Sequence, residues 1–164
     1  MKKRKKENII FGIIGILVII VVIGFFYSAE QTRNKGFSFG NNLQNIQEDL
    51  KKLQTNFQAD MSILEEGEIT SEEFLEFSKK HISKMEELVL RYDVLESPEA
   101  FVPSVELFKL SSQSQLDSDM EMIIWITTGD EGAKIRSDAL IKDAFEYELA
   151  ALEKYNAAKS GIDP

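Results

Sequence analysis

Residues 9–27 read IIFGIIGILVIIVVIGFFY, nineteen consecutive positions without a charged side chain. A helix rises 1.5 Å per residue, so this run spans roughly 30 Å, the thickness of one hydrocarbon core. Nothing else in the chain has that length and apolarity. A cleaved signal peptide has a shorter apolar region of about 7–15 residues and ends on small side chains. Here Tyr27 would stand at the −3 position of a cut after Ala29, so the expectation is an uncleaved anchor. Gly12 and Gly15 are three apart and do not make the G-x-x-x-G pattern that brings two spans together.

Five cations, Lys2, Lys3, Arg4, Lys5 and Lys6, precede the run, and only Arg33 and Lys35 follow it closely. The positive-inside rule therefore predicts a cytoplasmic basic tail (1–8), a single transmembrane helix (9–27), and a C-terminal domain outside the cytoplasm. Beyond residue 27 stand 14 Lys/Arg against 27 Asp/Glu, a net charge of −13. That field repels nucleic acid and anionic lipid headgroups. The chain has no cysteine, which excludes disulfides, thiolate metal sites and redox motifs. It also lacks an N-x-S/T acceptor.

Residues 28–40, with Gly36 and Gly40, read as a juxtamembrane linker. The pattern after it is helical throughout. Leu43, Ile46, Leu50, Leu53, Phe57, Met61 and Leu64 recur at steps of three and four, and Gly67 is a C-terminal cap candidate. Thr70 and Glu73 form a capping-box pair ahead of a second stripe, Phe74, Phe77, His81, Ile82, Met85, Leu88, Tyr92 and Leu95. Ser97-Pro98 can start a short turn, and Pro103 should push Val102 out of the α region. A third helix is expected from about Ser104 to Thr128, its inward line being Val105, Phe108, Ser112, Leu116, Met120, Ile123 and Thr127. Gly129 stops it, and Asp130 caps a fourth helix running to about Lys159 through Leu140, Ile141, Ala144, Phe145, Tyr147, Ala151, Leu152 and Tyr155. Four helices of similar length on short loops predict an all-α fold: a transmembrane helix followed by an up-down-up-down antiparallel four-helix bundle over 41–160.

Within the third helix, residues 111–119 read SSQSQLDSD, with Leu116 the one apolar side chain. Helical spacing keeps Ser112 and Leu116 on the inward line and sends Ser111, Gln113, Ser114, Asp117 and Ser118 to the outer side. Gln115 and Asp119 then flank the core near the height of His81, with Asn56 at the same level of the first helix. A polar layer of His81, Gln115 and Asp119 is the first candidate site, able to fix register, sense pH or hold a small ligand.

The second candidate is an acidic tip, where Glu65, Glu66, Glu68 and Asp130 gather at the distal end. Glu65 and Glu66 crowd a helix C-terminus, where the dipole disfavours them, so a weak divalent-cation site is one reading and a solvated charged end the other. Enzyme chemistry has no constellation to rest on. A di-iron carboxylate bundle needs two Glu-x-x-His motifs, whereas His81 is the single histidine and Ser78 precedes it by three. There is no nucleophile elbow and no Gly-rich phosphate loop. The aromatic side chains fall at core spacing. No catalytic residue and no cofactor is expected.

The tract VPSVELFKLSSQSQLDSDMEMIIWITTGDEGAKIRSDALIKDAFEYELAAL (102–152) resembles small, uncharacterised, N-terminally anchored helical proteins of ammonia-oxidising archaea, with fainter agreement over 73–95. That group has no assigned activity, so the resemblance implies an archaeal cell-surface setting and transfers no site residue. The expected function is contact with a protein partner or with further copies of the chain, as an accessory subunit of a membrane assembly. The alternative is an extracytoplasmic sensor or ligand- or cation-binding module. Only MKKRKKEN would face the cytoplasm, too little for a signalling helix, so a sensor would need a partner to carry its signal.

Overall fold

The computed structural model describes residues 34–161. The basic tail 1–8 and the apolar run 9–27 lie outside the described residues. Among those described, no helix is long and apolar enough to cross a membrane.

The described chain is all-helical: α1 (Asn34–Glu65), α2 (Ser71–Asp93), a 3₁₀ turn (Glu99–Phe101), α3 (Val102–Thr128) and α4 (Glu131–Ser160). The stops are local chemistry. Glu68 N–H reaches the Ile63 carbonyl at 2.9 Å and Gly67 N–H reaches Leu64 at 3.0 Å, the paired bonds of a Schellman ending on a left-handed glycine. Thr70 Oγ1 accepts from Glu73 N at 3.2 Å, and Glu73 Oε2 accepts from Thr70 N at 2.8 Å, so the capping box starts α2 as its sequence requires. Gly129, at φ +75°, ends α3, and Asp130 Oδ1 caps α4 through Gly132 N at 2.8 Å.

Two boundaries differ from expectation. Residues 34–40 are helical rather than linker, because the added turns bury Phe39, whose ring lies 5.2 Å from Phe101. Val102 is in the right-handed helical region (φ −52°, ψ −48°) despite preceding Pro103. Pro103 sits in the first turn of α3, where a missing N–H leaves nothing unsatisfied. The 3₁₀ turn, closed by Phe101 N–H to the Pro98 carbonyl at 2.8 Å, delivers the chain already coiled.

Pairings between helices fix the topology. Gln47 and Asp49 of α1 bond Tyr92 and Arg91 of α2, while Phe57 stacks on His81. Tyr92 meets Ser112 and His81 meets Asp119, so α2 and α3 run antiparallel. Ser118 meets Ser137 while Phe101 meets Tyr155, so α3 and α4 do as well. Phe39, Phe101 and Tyr155 close the end of the bundle where α1 starts and α4 finishes. The apolar core is concentrated toward that end, around Leu43, Leu50, Met85, Leu88 and Phe108.

Among the described helices the α3–α4 contact is the most extensive. Its cause is a small residue at every seventh position: Ser104, Ser111 and Ser118 on α3 face Ser137, Ala144 and Ala151 on α4, and all six are buried. Seven residues are two turns, so each set lies along one face, and small side chains let the two helices approach closely. Ser111 and Ser118 are therefore not on the outer side of α3, and the thin apolar face of SSQSQLDSD is a packed seam. Turning that seam toward α4 carries the inward line of α3 from Leu116 to Asp119, leaving Met120 and Thr127 exposed. On α4 the same rotation buries Ala133, Ser137, Ala144, Glu148 and Ala151 in full, while Leu140, Ile141, Phe145 and Tyr147 are half-buried.

Candidate functional site

Two polar layers cross the interior. In the middle of the bundle, Asp119 Oδ2 accepts from Gln54 Nε2 at 2.7 Å and lies 2.8 Å from His81 Nε2. Gln54, His81 and Asp119 are all buried. The His81 ring stacks on Phe57 at 4.4 Å between centroids and 10° between planes, which fixes its orientation. Burial pushes the Asp119 carboxyl up, and the bonds from His81 and Gln54 pull the other way. Asp60 stands near the layer, its carboxyl raised by burial and pulled down by His81.

About two turns toward the closed end is a second layer. Gln47 Nε2 donates to Tyr92 Oη at 2.7 Å, Tyr92 and Ser112 Oγ are 3.1 Å apart, and Ser112 donates to the Phe108 carbonyl at 3.1 Å. Tyr92 accepts from Gln47 and Ser112 spends its proton on Phe108, so the Tyr92 hydroxyl donates to Ser112 and the chain of donors is complete. Burial drives the phenol far up and keeps it neutral. Glu148, only 4 % exposed, approaches this layer from α4, and its charge adds to the rise at Tyr92. Its own Oε1 is buried with no hydrogen-bond partner among the described residues, and burial raises the carboxyl to about 8.

The sequence brought forward three members of the middle layer, and the structure distributes them unevenly. His81 and Asp119 are joined. Gln115 is buried at their level but donates to Ser111 Oγ of its own helix at 3.3 Å. Gln54 replaces Asn56, which is exposed, as the contribution of α1. Gln47, Gln54 and Glu148 carried a signal that went unread: each is a polar residue set in register with buried neighbours, Gln47 and Gln54 between Leu43, Leu50 and Phe57, and Glu148 between Ala144 and Ala151.

At the other end, Glu65, Glu66, Glu68 and Asp130 do not assemble. Among the described residues no three His, Asp or Glu side chains form a group able to hold a metal ion. Asp130 is committed to Gly132 N and to Arg136 Nη2 at 3.4 Å, and both hold its carboxyl below the usual range, the backbone bond most.

The side chains of both polar layers are buried, and their hydrogen bonds join α1, α2 and α3. What the surface offers is different. Between α2 and α3 runs an open groove of about 340 Å³, floored by Leu75, Ile82, Ile123 and Ile124 and edged by Lys79 and Glu86. Met120 and Ile124 are 45 % and 41 % exposed there. Ser78 lines its inner wall, its hydroxyl buried without a hydrogen-bond partner among the described residues. Comparison of the chain with protein-family models, with curated proteins and with solved structures gave no match.

Proposed function

We propose that the protein is a non-enzymatic, membrane-anchored helical bundle that acts by protein–protein contact on the extracytoplasmic side of the membrane. The reading joins the apolar run 9–27 and its flanking cations to one structural observation. The α2–α3 face leaves Met120 and Ile124 open to solvent beside the apolar floor of the groove, while the polar side chains that could do chemistry are sealed inside. Contiguous exposed apolar surface with a charged rim marks an interaction site. The acidic balance of the domain leaves proteins as the partners suited to that face.

The test is a photo-crosslinking amino acid placed at Met120 of the full chain in its native membrane. Irradiation should give a discrete protein adduct, and the same probe at Lys142, on the outer face of α4, should not. If Met120 gives only lipid adducts or none, the contact reading fails.

A further inference from the structure

We propose that the partner at this face is a second copy of the chain, packed α2 against α2 in antiparallel fashion about a twofold axis passing between Ile82 and Ser83. This rests on the protein–protein reading above. The order of residues along the groove side of α2 points to it. Leu75, Lys79, Ile82, Ser83 and Glu86 line or edge the groove, and Leu90, 62 % exposed, continues their stripe one turn further.

The stripe is a palindrome in chemistry. An isologous contact requires that residue i meet residue j and j meet i. With the axis between 82 and 83, Leu75 meets Leu90 of the partner copy, Lys79 meets Glu86, and Ile82 meets the small Ser83. Each apolar side chain meets an apolar or small one and each cation meets an anion. Lys79 and Glu86 lie about 5 Å along the helix on either side of the axis. Parallel packing would set Lys79 against Lys79 and Glu86 against Glu86, which opposes it.

The charges are available for this. Lys79 holds only the exposed neighbour Glu76, at 3.1 Å, and among the described residues Glu86 has no ion-pair partner. A chain of net charge −9 repels its own copies, so self-association needs a face where opposite charges meet. On either side of the α2 seam, Met120 and Ile124 supply apolar area that the partner copy covers. The axis is perpendicular to the helices, so the two α1 starts lie at opposite ends of the dimer but at one height along the axis, and both 9–27 runs enter one membrane when the helices lie along its surface with the axis along the membrane normal.

The absence of cysteine from the sequence makes the test clean. Full-length Ser83→Cys, reconstituted in vesicles and treated with copper–phenanthroline, should form a covalent dimer, and Lys142→Cys should not. Within Ser83→Cys, adding Lys79→Glu or Glu86→Lys should reduce the covalent dimer at least fivefold, and adding both should restore it to within twofold. A Ser83→Cys yield no higher than Lys142→Cys, or no recovery in the double reversal, overturns the dimer. A Met120 photoadduct to a different protein, with no Ser83→Cys dimer, overturns the dimer while leaving the contact reading standing.

Discussion

Ser118 Oγ lies 3.0 Å from the carbonyl of Ser137 and 2.9 Å from its hydroxyl. Ser118 has one proton, which goes to the carbonyl, so Ser137 donates to Ser118 and each hydroxyl is used. This pair sits in the seam of small residues that holds α3 and α4 together. Ser137→Ala should cost about 1 kcal/mol for the lost bond, and Ser137→Leu about 1–3 kcal/mol more than that by overpacking a site with no room. Urea unfolding of the full chain followed by circular dichroism distinguishes them. Equal stability of the two variants would show that the helices are not close-packed there.

The legibility of this fold in its sequence depends on which periodicity carries the information. The steps of three and four in α1 and α2 announce their buried faces, and the capping box at Thr70 and the glycine stops at 67 and 129 place the loops. Helix α3 is harder because it has two buried faces, one toward α1 and α2 and one toward α4. A search for apolar side chains finds the first and misses the second, since serine counts as polar although Ser104, Ser111 and Ser118 are buried. Their spacing of seven, matched by Ser137, Ala144 and Ala151, was the available signal. The rotation of α3 follows from the seam, so apolar spacing alone puts the exposed Met120 on the inward line, and the buried Asp119 is legible only through its height beside His81. Glu148 was illegible for a related reason, because a lone glutamate in an Ala-rich helix resembles a solvated residue.

The middle layer makes a prediction of opposite sign for one substitution and two. His81→Leu leaves Asp119 buried with Gln54 alone and should cost about 3–5 kcal/mol, the penalty of an uncompensated buried carboxyl. His81→Leu with Asp119→Leu removes the buried carboxyl and should recover about half of that loss, the remainder being Gln54, whose buried amide loses its acceptor. Thermal unfolding of the two variants beside the parent decides it. A double variant less stable than His81→Leu would mean that the buried Asp119 carboxyl is not the source of the cost.

The start of α2 depends on one hydroxyl. Thr70→Ala removes the acceptor for Glu73 N and should cost about 1 kcal/mol, whereas Thr70→Ser keeps the bond and should stay close to the parent. Hydrogen exchange at the Glu73 amide provides a local readout, faster in Thr70→Ala and unchanged in Thr70→Ser. Equal exchange in both variants would show that the cap contributes nothing to α2.

Glu148 predicts a pH dependence whose sign follows from its burial. The carboxyl titrates at about 8 in the fold against 4.5 when exposed, so between those values the folded chain holds a proton that the unfolded chain has lost. Its contribution to stability is fully present below about pH 4.5 and is lost as pH rises toward 8. A shift of this size corresponds to roughly 2–4 kcal/mol once water penetration and relaxation are allowed for. Tyr92, which feels the Glu148 charge across the interior, stays neutral throughout this window because burial raises its phenol further still. Glu148→Gln carries no charge at any pH, so its stability relative to the parent should increase steadily from pH 5 to pH 8.5. Asp119 contributes a slope in the same direction in both proteins, and the difference between their profiles cancels it. Chemical denaturation at half-unit pH intervals measures that difference, and parallel profiles across the range would place the Glu148 carboxyl in contact with water.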